Sequence, residues 1–497
     1  MKKNIRYSVA AALAIAVGFS GCGDDYQWDT DNTSKLEGQY TPEKIAEYDA
    51  EGIWFNANTR GVVADNIVKS FYFSNELTAG ISVSIKYHDD GDRFVYHTEN
   101  NNSTIGLNGS PINYEADASS KYDTPYNYSY GCAELNASNL SVMLAQENGG
   151  KLDKTDSGLC QIPMSTTHRF KVESLTKTAV SRTILDMDDN ENGYPGFSIN
   201  DAVTDHLPSN ITALGDLGGI TVSHLLHHTS GIGDINVTSL ASVEDKLREA
   251  LAKERTTEPG QMYSYNNAGY IILGQVIEHL GQTQTHNTND TWQNEVTARM
   301  REAVDSNASF YFPEASTNGN YTSWLSAYDT ENNETNQTLA RGYKEGFIDN
   351  TDRSSADIAY SAGSLIASVP DITKWMESIA TNDNTIDGNT STVGLLSTDY
   401  FVKNVDTINT ANYADIYLGS TNWNLGPGIG YDQDQNSLFH LGLFEGYACH
   451  SVYSKNEEVT VTVCVNGNAD LKKLPYQILE TMYPYRTKFL PTTTTTH

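Results

Sequence analysis

A helix and a strand far apart in this chain each carry a short polar motif, and any fold must accommodate both. Ser174-Leu-Thr-Lys177 opens a segment in which Leu175, Ala179, Ile184 and Met187 recur at roughly helical spacing. In His440-Leu-Gly442 the histidine lies between apolar neighbours, Phe439 and Leu441, a strand pattern whose glycine lets another backbone approach closely. Between them, Tyr265-Asn-Asn267 follows the turn signal Pro259-Gly260 and precedes an amphipathic run from Ile272 to Leu280, which Gly281 is placed to cap. A helix start, a helix-entry loop and a strand used together imply an α/β arrangement with a cleft between its layers.

The residue types suit nucleophilic catalysis. A serine hydroxyl attacks poorly at neutral pH unless a base lies within hydrogen-bond reach. Residues three apart on a helix are neighbours, so Lys177 reaches Ser174, and this is the only serine in the chain with a lysine three residues later. Near a helix N-terminus, free N–H groups and the positive dipole end favour developing negative charge. Tyr265 and Asn267 have a structural reading as well, as a turn aromatic and an N-cap. His279-Leu-Gly281 repeats the letters of the third motif, but its place at a helix end gives it a structural explanation. His227 and His228 are adjacent, point apart on a helix, and read as structural rather than metal-binding.

Longer stretches around these motifs resemble the serine beta-lactamase and penicillin-binding family, in the branch of class C beta-lactamases, D-Ala-D-Ala carboxypeptidases and related esterases. Phe170-Lys-Val-Glu-Ser174-Leu-Thr-Lys177-Thr is similar to the nucleophile segment, and Ile220 to Gly231 to the "iT-hLLtHtSG" stretch. Pro259 to Tyr270, Leu339-Ala-Arg-Gly-Tyr343, Ser361 to Asp371 and His440 to Tyr447 match further landmarks in order. The resemblance implies an antiparallel sheet flanked by helices, with a mostly helical lobe across the cleft. It implies that Ser174 forms an acyl-enzyme, that Lys177 and Tyr265 carry the proton, and that Asn267 orients the substrate amide. His440 and Gly442 would line the cleft. The N–H groups of Ser174 and Leu443 would form the oxyanion hole. No cofactor or metal is implied. Where many relatives have a hydroxyl that binds a substrate carboxylate, this chain has Leu441, and Leu443 and Phe444 are bulkier than the usual small residues. These departures point away from beta-lactams and D-Ala-D-Ala peptides, and leave open an esterase, an amidase or a catalytically silent peptide-binding receptor.

Residues 1–21 read as a signal peptide, with Lys2, Lys3 and Arg6 before a short apolar core. Phe19-Ser-Gly-Cys22 resembles a lipobox, so Cys22 is the expected lipid site and the acidic stretch 22–50 a tether. This places the chain in a bacterial cell envelope, held to a membrane by lipid and acting on a small-molecule or peptide substrate. The net charge of −31 argues against nucleic acid as a partner.

The hydrolase domain is expected over 51–488, with an insertion at 99–163 and a disordered tail at 489–497. The alternating Ile81, Val83, Ile85 and Tyr87, the turn Asp89–Asp92 and Arg93–Tyr96 read as a hairpin. Cys449 and Cys464 are equidistant from a turn at Asn456-Glu457, which puts them opposite each other in a symmetric hairpin. Cys132 and Cys160 bracket part of the insertion. An exported compartment permits both pairs to be disulfides, with buried thiols as the alternative.

Overall fold

The computed structural model describes residues 57–87, 126–138, 151–188, 194–236, 241–287, 289–313, 339–351, 359–381, 423–432 and 434–482. The signal segment, Cys22, the tether, Arg93–Tyr96, the tail and much of the insertion lie outside them.

Helix α1 (Ala57–Ser74) leads into β1 (Thr78–Tyr87), then β2 (Tyr126–Leu135), β3 (Cys160–Pro163) and β4 (Arg169–Lys171). Helices α2 (Thr176–Asp188), α3 (Val222–Leu226), α4 (Val243–Leu251), α5 (Asn267–Thr285) and α6 (Trp292–Ala303) follow. The short strands β5 (Tyr343–Lys344), β6 (Ile348–Asp349) and β7 (Ile366–Ser368) precede α7 (Val369–Thr381). After them come β8 (Trp423–Gly426), β9 (Ile429–Asp432), β10 (Ser437–Phe444), β11 (Tyr447–Ser454), β12 (Val459–Gly467) and α8 (Leu474–Met482). The main sheet is eight-stranded, in the order β3-β2-β1-β12-β11-β10-β9-β8, and each neighbouring pair runs antiparallel.

Strand β12 shows why this sheet is buried on both faces. Val459, Val461, Val463 and Val465 alternate onto one face, where they pack with Ala64 and Val68 of α1 and Ile478 and Leu479 of α8. Each fully buried valine contributes roughly 1.5–3 kcal/mol of transfer free energy. On the other face Cys464 joins the larger core of α2, α5, α6 and α7. There Trp375 of α7 donates from its indole N–H to Thr178 Oγ1 of α2 at 2.9 Å, fastening the sheet-covering helix to the one that begins beside Ser174.

The Asn456-Glu457 hairpin has the expected register: Cys449 stands opposite Cys464, and the two are disulfide-bonded. Cys132 and Cys160 form the second disulfide, between β2 and β3. β1 pairs on one side with β12 and on the other with Tyr126–Leu135, a segment read as insertion. The partner of β1 among the described residues is thus set by long-range pairing rather than by the nearest turn. Gly281 does not cap α5, which continues to Thr285 and ends at His286 with φ 55°. Gly281 instead faces α6, where a β-carbon would come 3.2 Å from Glu295 Oε1.

Candidate active site

The segment bearing Ser174 is held from both ends. Arg169–Lys171 pairs with Ile366–Ser368, and the Val172 N–H donates to the Leu365 carbonyl at 3.0 Å. Thr176 Oγ1 donates to the Glu173 carbonyl at 2.7 Å and accepts from the Leu365 N–H at 3.0 Å. Ser174 therefore sits in a single 3₁₀ turn, Glu173–Leu175, just ahead of α2. Glu173 takes φ 55°, a left-handed conformation that L-residues adopt at a cost of about 1–2 kcal/mol.

Lys177 is fully buried. Its amine lies 3.1 Å from Ser174 Oγ, 3.0 Å from Asn267 Oδ1 and 2.6 Å from the Ala362 carbonyl. The last two can only accept, so they take two N–H bonds whatever the charge on the amine. When Lys177 is neutral, its lone pair is left for Ser174 Oγ. The orientation of the Asn267 amide is fixed in turn, because its Nδ2 donates to Asp234 Oδ2 at 3.0 Å. Asp234 Oδ1 also accepts from the N–H groups of Asn267 at 2.8 Å and Ala268 at 3.0 Å, at the N-terminus of α5.

Tyr265 donates its hydroxyl to the same Ser174 Oγ at 2.8 Å. Its ring stacks on His228 with centroids 4.5 Å apart, and His228 Nδ1 accepts from the Asn266 N–H at 3.1 Å. Asn266, not Asn267, is the N-cap of α5, accepting from Gly269 N at 2.7 Å. That leaves the Asn267 side chain for Lys177.

Burial dominates the electrostatics. It pushes Lys177 down from 10.5 to about 7, against the opposing pull of Asp234 and Glu173. It pushes the Glu173 carboxyl up to about 8, against Lys171 and Lys177. His440 is lowered to about 3, first by burial and then by the charge of Lys177, so it adds no cation near neutral pH. His228 is lowered well below its ordinary value, again chiefly by burial.

Strand β10 carries the third motif and lies against the serine turn. A β-carbon on Gly442 would fall 2.1 Å from the Val172 carbonyl oxygen, so only glycine fits here. Leu441 is a correction to the specificity reading. Alternation along β10 turns it, with Phe439, into the cluster shared with α1 and α8, so it stands on the sheet face away from Gly442 and the serine turn. Leu443, near the strand end, is 55% exposed.

The structure brings Ser174, Lys177, Tyr265 and Asn267 into one hydrogen-bonded group. Sequence reasoning missed Glu173, Asp234, the stacking role of His228 and the Ala362 carbonyl. Glu173 and His228 stood inside quoted segments, and their positive φ left no mark in the sequence. Among the described residues no group of three or more His, Cys, Asp or Glu could hold a metal ion.

The family model described as Beta-lactamase matches residues 141–482. The chain belongs to the beta-lactamase family. Within that family of serine hydrolases, it is 29% identical over 141 residues to "Protein flp" of Staphylococcus aureus strain MW2, a match covering 27% of each chain. It is 29% identical over 151 residues to "Penicillin-binding protein 4*" of Bacillus subtilis strain 168, covering 28% of this chain and 32% of that one. The matched part thus spans a third or less of these curated relatives. A D-amino acid amidase from Ochrobactrum anthropi SV3 superposes with a TM-score of 0.54 at 15% identity, over 86% of this chain and 99% of that chain. A penicillin-binding protein from Bacillus halodurans gives 0.52 at 17% identity, over 84% and 99%. At these identities the likeness is one of fold, and it is the expected one: an antiparallel sheet with helices on its faces and a mostly helical lobe.

Proposed function

We propose that the chain is an exported, lipid-anchored serine hydrolase that cleaves an amide or ester through an acyl-enzyme on Ser174. One observation carries this reading: Tyr265 OH and Lys177 Nζ both converge on Ser174 Oγ, at 2.8 and 3.1 Å. Ser174 Oγ attacks the substrate carbonyl carbon and passes its proton to the Lys177–Tyr265 pair. The N–H groups of Ser174 and Leu443 receive the oxyanion. As the carbonyl–leaving-group bond breaks, the pair returns the proton to the departing amine or alcohol, and water then releases the acyl group. Asn267 and Gly442 border the cleft. The substrate is a small molecule or peptide met outside the cytoplasm; the net charge of −31 argues against nucleic acid.

Neutral His440 favours an uncharged or apolar group along β10 over a carboxylate. Substrates to try include amides and esters of D-amino acids, since structural neighbours bear the titles D-amino acid amidase and D-stereospecific amidohydrolase. The test is acylation by fluorophosphonate, beta-lactam and peptide-ester probes, followed by mass mapping. The label is expected on Ser174, and Ser174→Ala is expected to lower turnover by about 10⁴-fold or more. Wild-type turnover in that variant would overturn the mechanism. Reversible peptide binding without acylation by any probe would favour the silent receptor.

A further inference from the structure

One peptide unit at the edge of the cleft is gripped at both of its polar ends. Strands β10 and β11 are joined by Glu445 and Gly446, with Phe444 opposite Tyr447. Asn350, just after β6, donates from its side-chain Nδ2 to the Glu445 carbonyl at 3.0 Å. Asn468, just after β12, accepts the Gly446 N–H on its Oδ1 at 2.8 Å. That carbonyl and that N–H belong to the same peptide bond. A carbonyl can only accept and an N–H can only donate, so the orientation of both side-chain amides is settled.

The turn alone does not hold this peptide. Gly446 has φ 102°, whereas the φ of Glu445 is negative, and that succession is the type II combination. Two-residue hairpins favour the primed turns, because type II splays the strands it joins. Rotating the central peptide converts type II into type I, and a glycine at the second position permits either. In the rotated form the carbonyl would face Asn468 Oδ1 and the N–H would face Asn350 Nδ2, two mismatched pairs. The anchors are themselves fixed. The Asn350 N–H donates to the Gly342 carbonyl at 2.8 Å, and the Asn468 N–H to the Leu77 carbonyl at 3.1 Å. The carbonyl of Thr351, next to Asn350, accepts from Lys171 of β4, the strand that leads to Ser174, at 2.6 Å.

The turn reaches the site through strand register. A two-residue turn is closed by a hydrogen-bonded pair, here Phe444 and Tyr447, so the next pair, Leu443 and Ala448, is the non-hydrogen-bonded one. The Leu443 N–H therefore points away from β11, toward the side where pairing with β9 has ended at Phe439. We propose that Asn350 and Asn468 are positioning residues: by holding the Glu445–Gly446 peptide they keep the Leu443 N–H aimed to receive the oxyanion. This rests on the serine-hydrolase reading above. Releasing either end lets the turn relax, and the strand end that carries the N–H moves with it.

The experiment follows Ser174 labelling by a fluorophosphonate over a range of probe concentrations, which separates maximal rate from apparent affinity. It compares the full chain with Asn350→Ala, Asn468→Ala and Asn468→Asp. Removing an oxyanion donor outright typically costs about 10²–10³-fold in rate, and a displaced one is expected to cost about tenfold. Both alanine variants should lose that much in maximal rate while the affinity stays unchanged. Asn468→Asp keeps an accepting oxygen and should recover the rate lost in Asn468→Ala. A wild-type maximal rate in either alanine variant, a loss confined to affinity, or no recovery in Asn468→Asp would overturn the proposal. So would failure of both alanine variants to fold, because the asparagines would then serve the fold. A wild-type chain never labelled on Ser174 would instead count against the hydrolase reading.

Discussion

At the scale of single residues, Ser174 is served by two groups that cannot act apart. Tyr265 and Lys177 share one acceptor, and the Lys177 amine lies 4.8 Å from the Tyr265 ring centroid. Lys177→Ala and Tyr265→Phe should therefore be strongly non-additive in kcat/KM, the double variant costing little more than the worse single one. Near-normal turnover by Tyr265→Phe would remove the tyrosine from the mechanism. The pH dependence has a definite sign. Lys177 must be neutral to take the proton, so kcat/KM should rise with pH through about 7. Stability should rise too. Between about 7 and 10.5 the folded chain has released a proton that the unfolded chain still holds, so unfolding takes one up. A flat profile from pH 6 to 8 would exclude Lys177 as base. Ser174, Lys177 and Tyr265 were legible because their chemistry depends on residue type and short spacing. Asp234 was not. Its role comes from Asn267, Ala268 and Lys177 meeting it in space, and nothing local marks one aspartate among the many acidic residues of this chain.

At the scale of elements, β10 is constrained more by backbone clearance than by its side chains. Gly442→Ala would press a methyl into the Val172 carbonyl. It should cost about 1–3 kcal/mol in urea unfolding and slow acylation by shifting the serine turn. An unaltered urea midpoint would mean that the turn yields freely. The β2–β3 disulfide closes a loop with a sequence separation of 28. In the chain-entropy model its loss in Cys160→Ser should cost about 3–4 kcal/mol, again read by urea. The Cys449–Cys464 register was legible from symmetry about one turn. The end of α5 was misread because a glycine resembles a stop signal, whereas Gly281 serves a close helix contact. Strand patterns give the faces of a strand and not its neighbour, so the pairing of β1 with Tyr126–Leu135 could not be read from its alternation. Leu441 belongs to the same lesson: alternation settles its direction, and the motif alone does not.

At the scale of the whole molecule, the site lies where the helical lobe meets the sheet, and its parts come from the serine turn, α2, the start of α5 and β10. If Cys22 carries lipid, Cys22→Ala should move the protein from the membrane pellet to the soluble exported fraction and abolish palmitate labelling. An unchanged distribution would refute the anchor. The sheet holds one further consequence. Gly442 stands opposite Cys449, and Cys449 stands opposite Cys464. A single transverse line thus runs from the wall beside the nucleophile to the middle strand, and its inner half is welded shut. A chain produced in a reducing cytosol would keep the ladder but lose the weld, so the wall would be softer while the fold endured. Preparations differing only in oxidation history would then rank the same substrates differently, and titrating an exported sample with dithiothreitol should convert one ranking into the other.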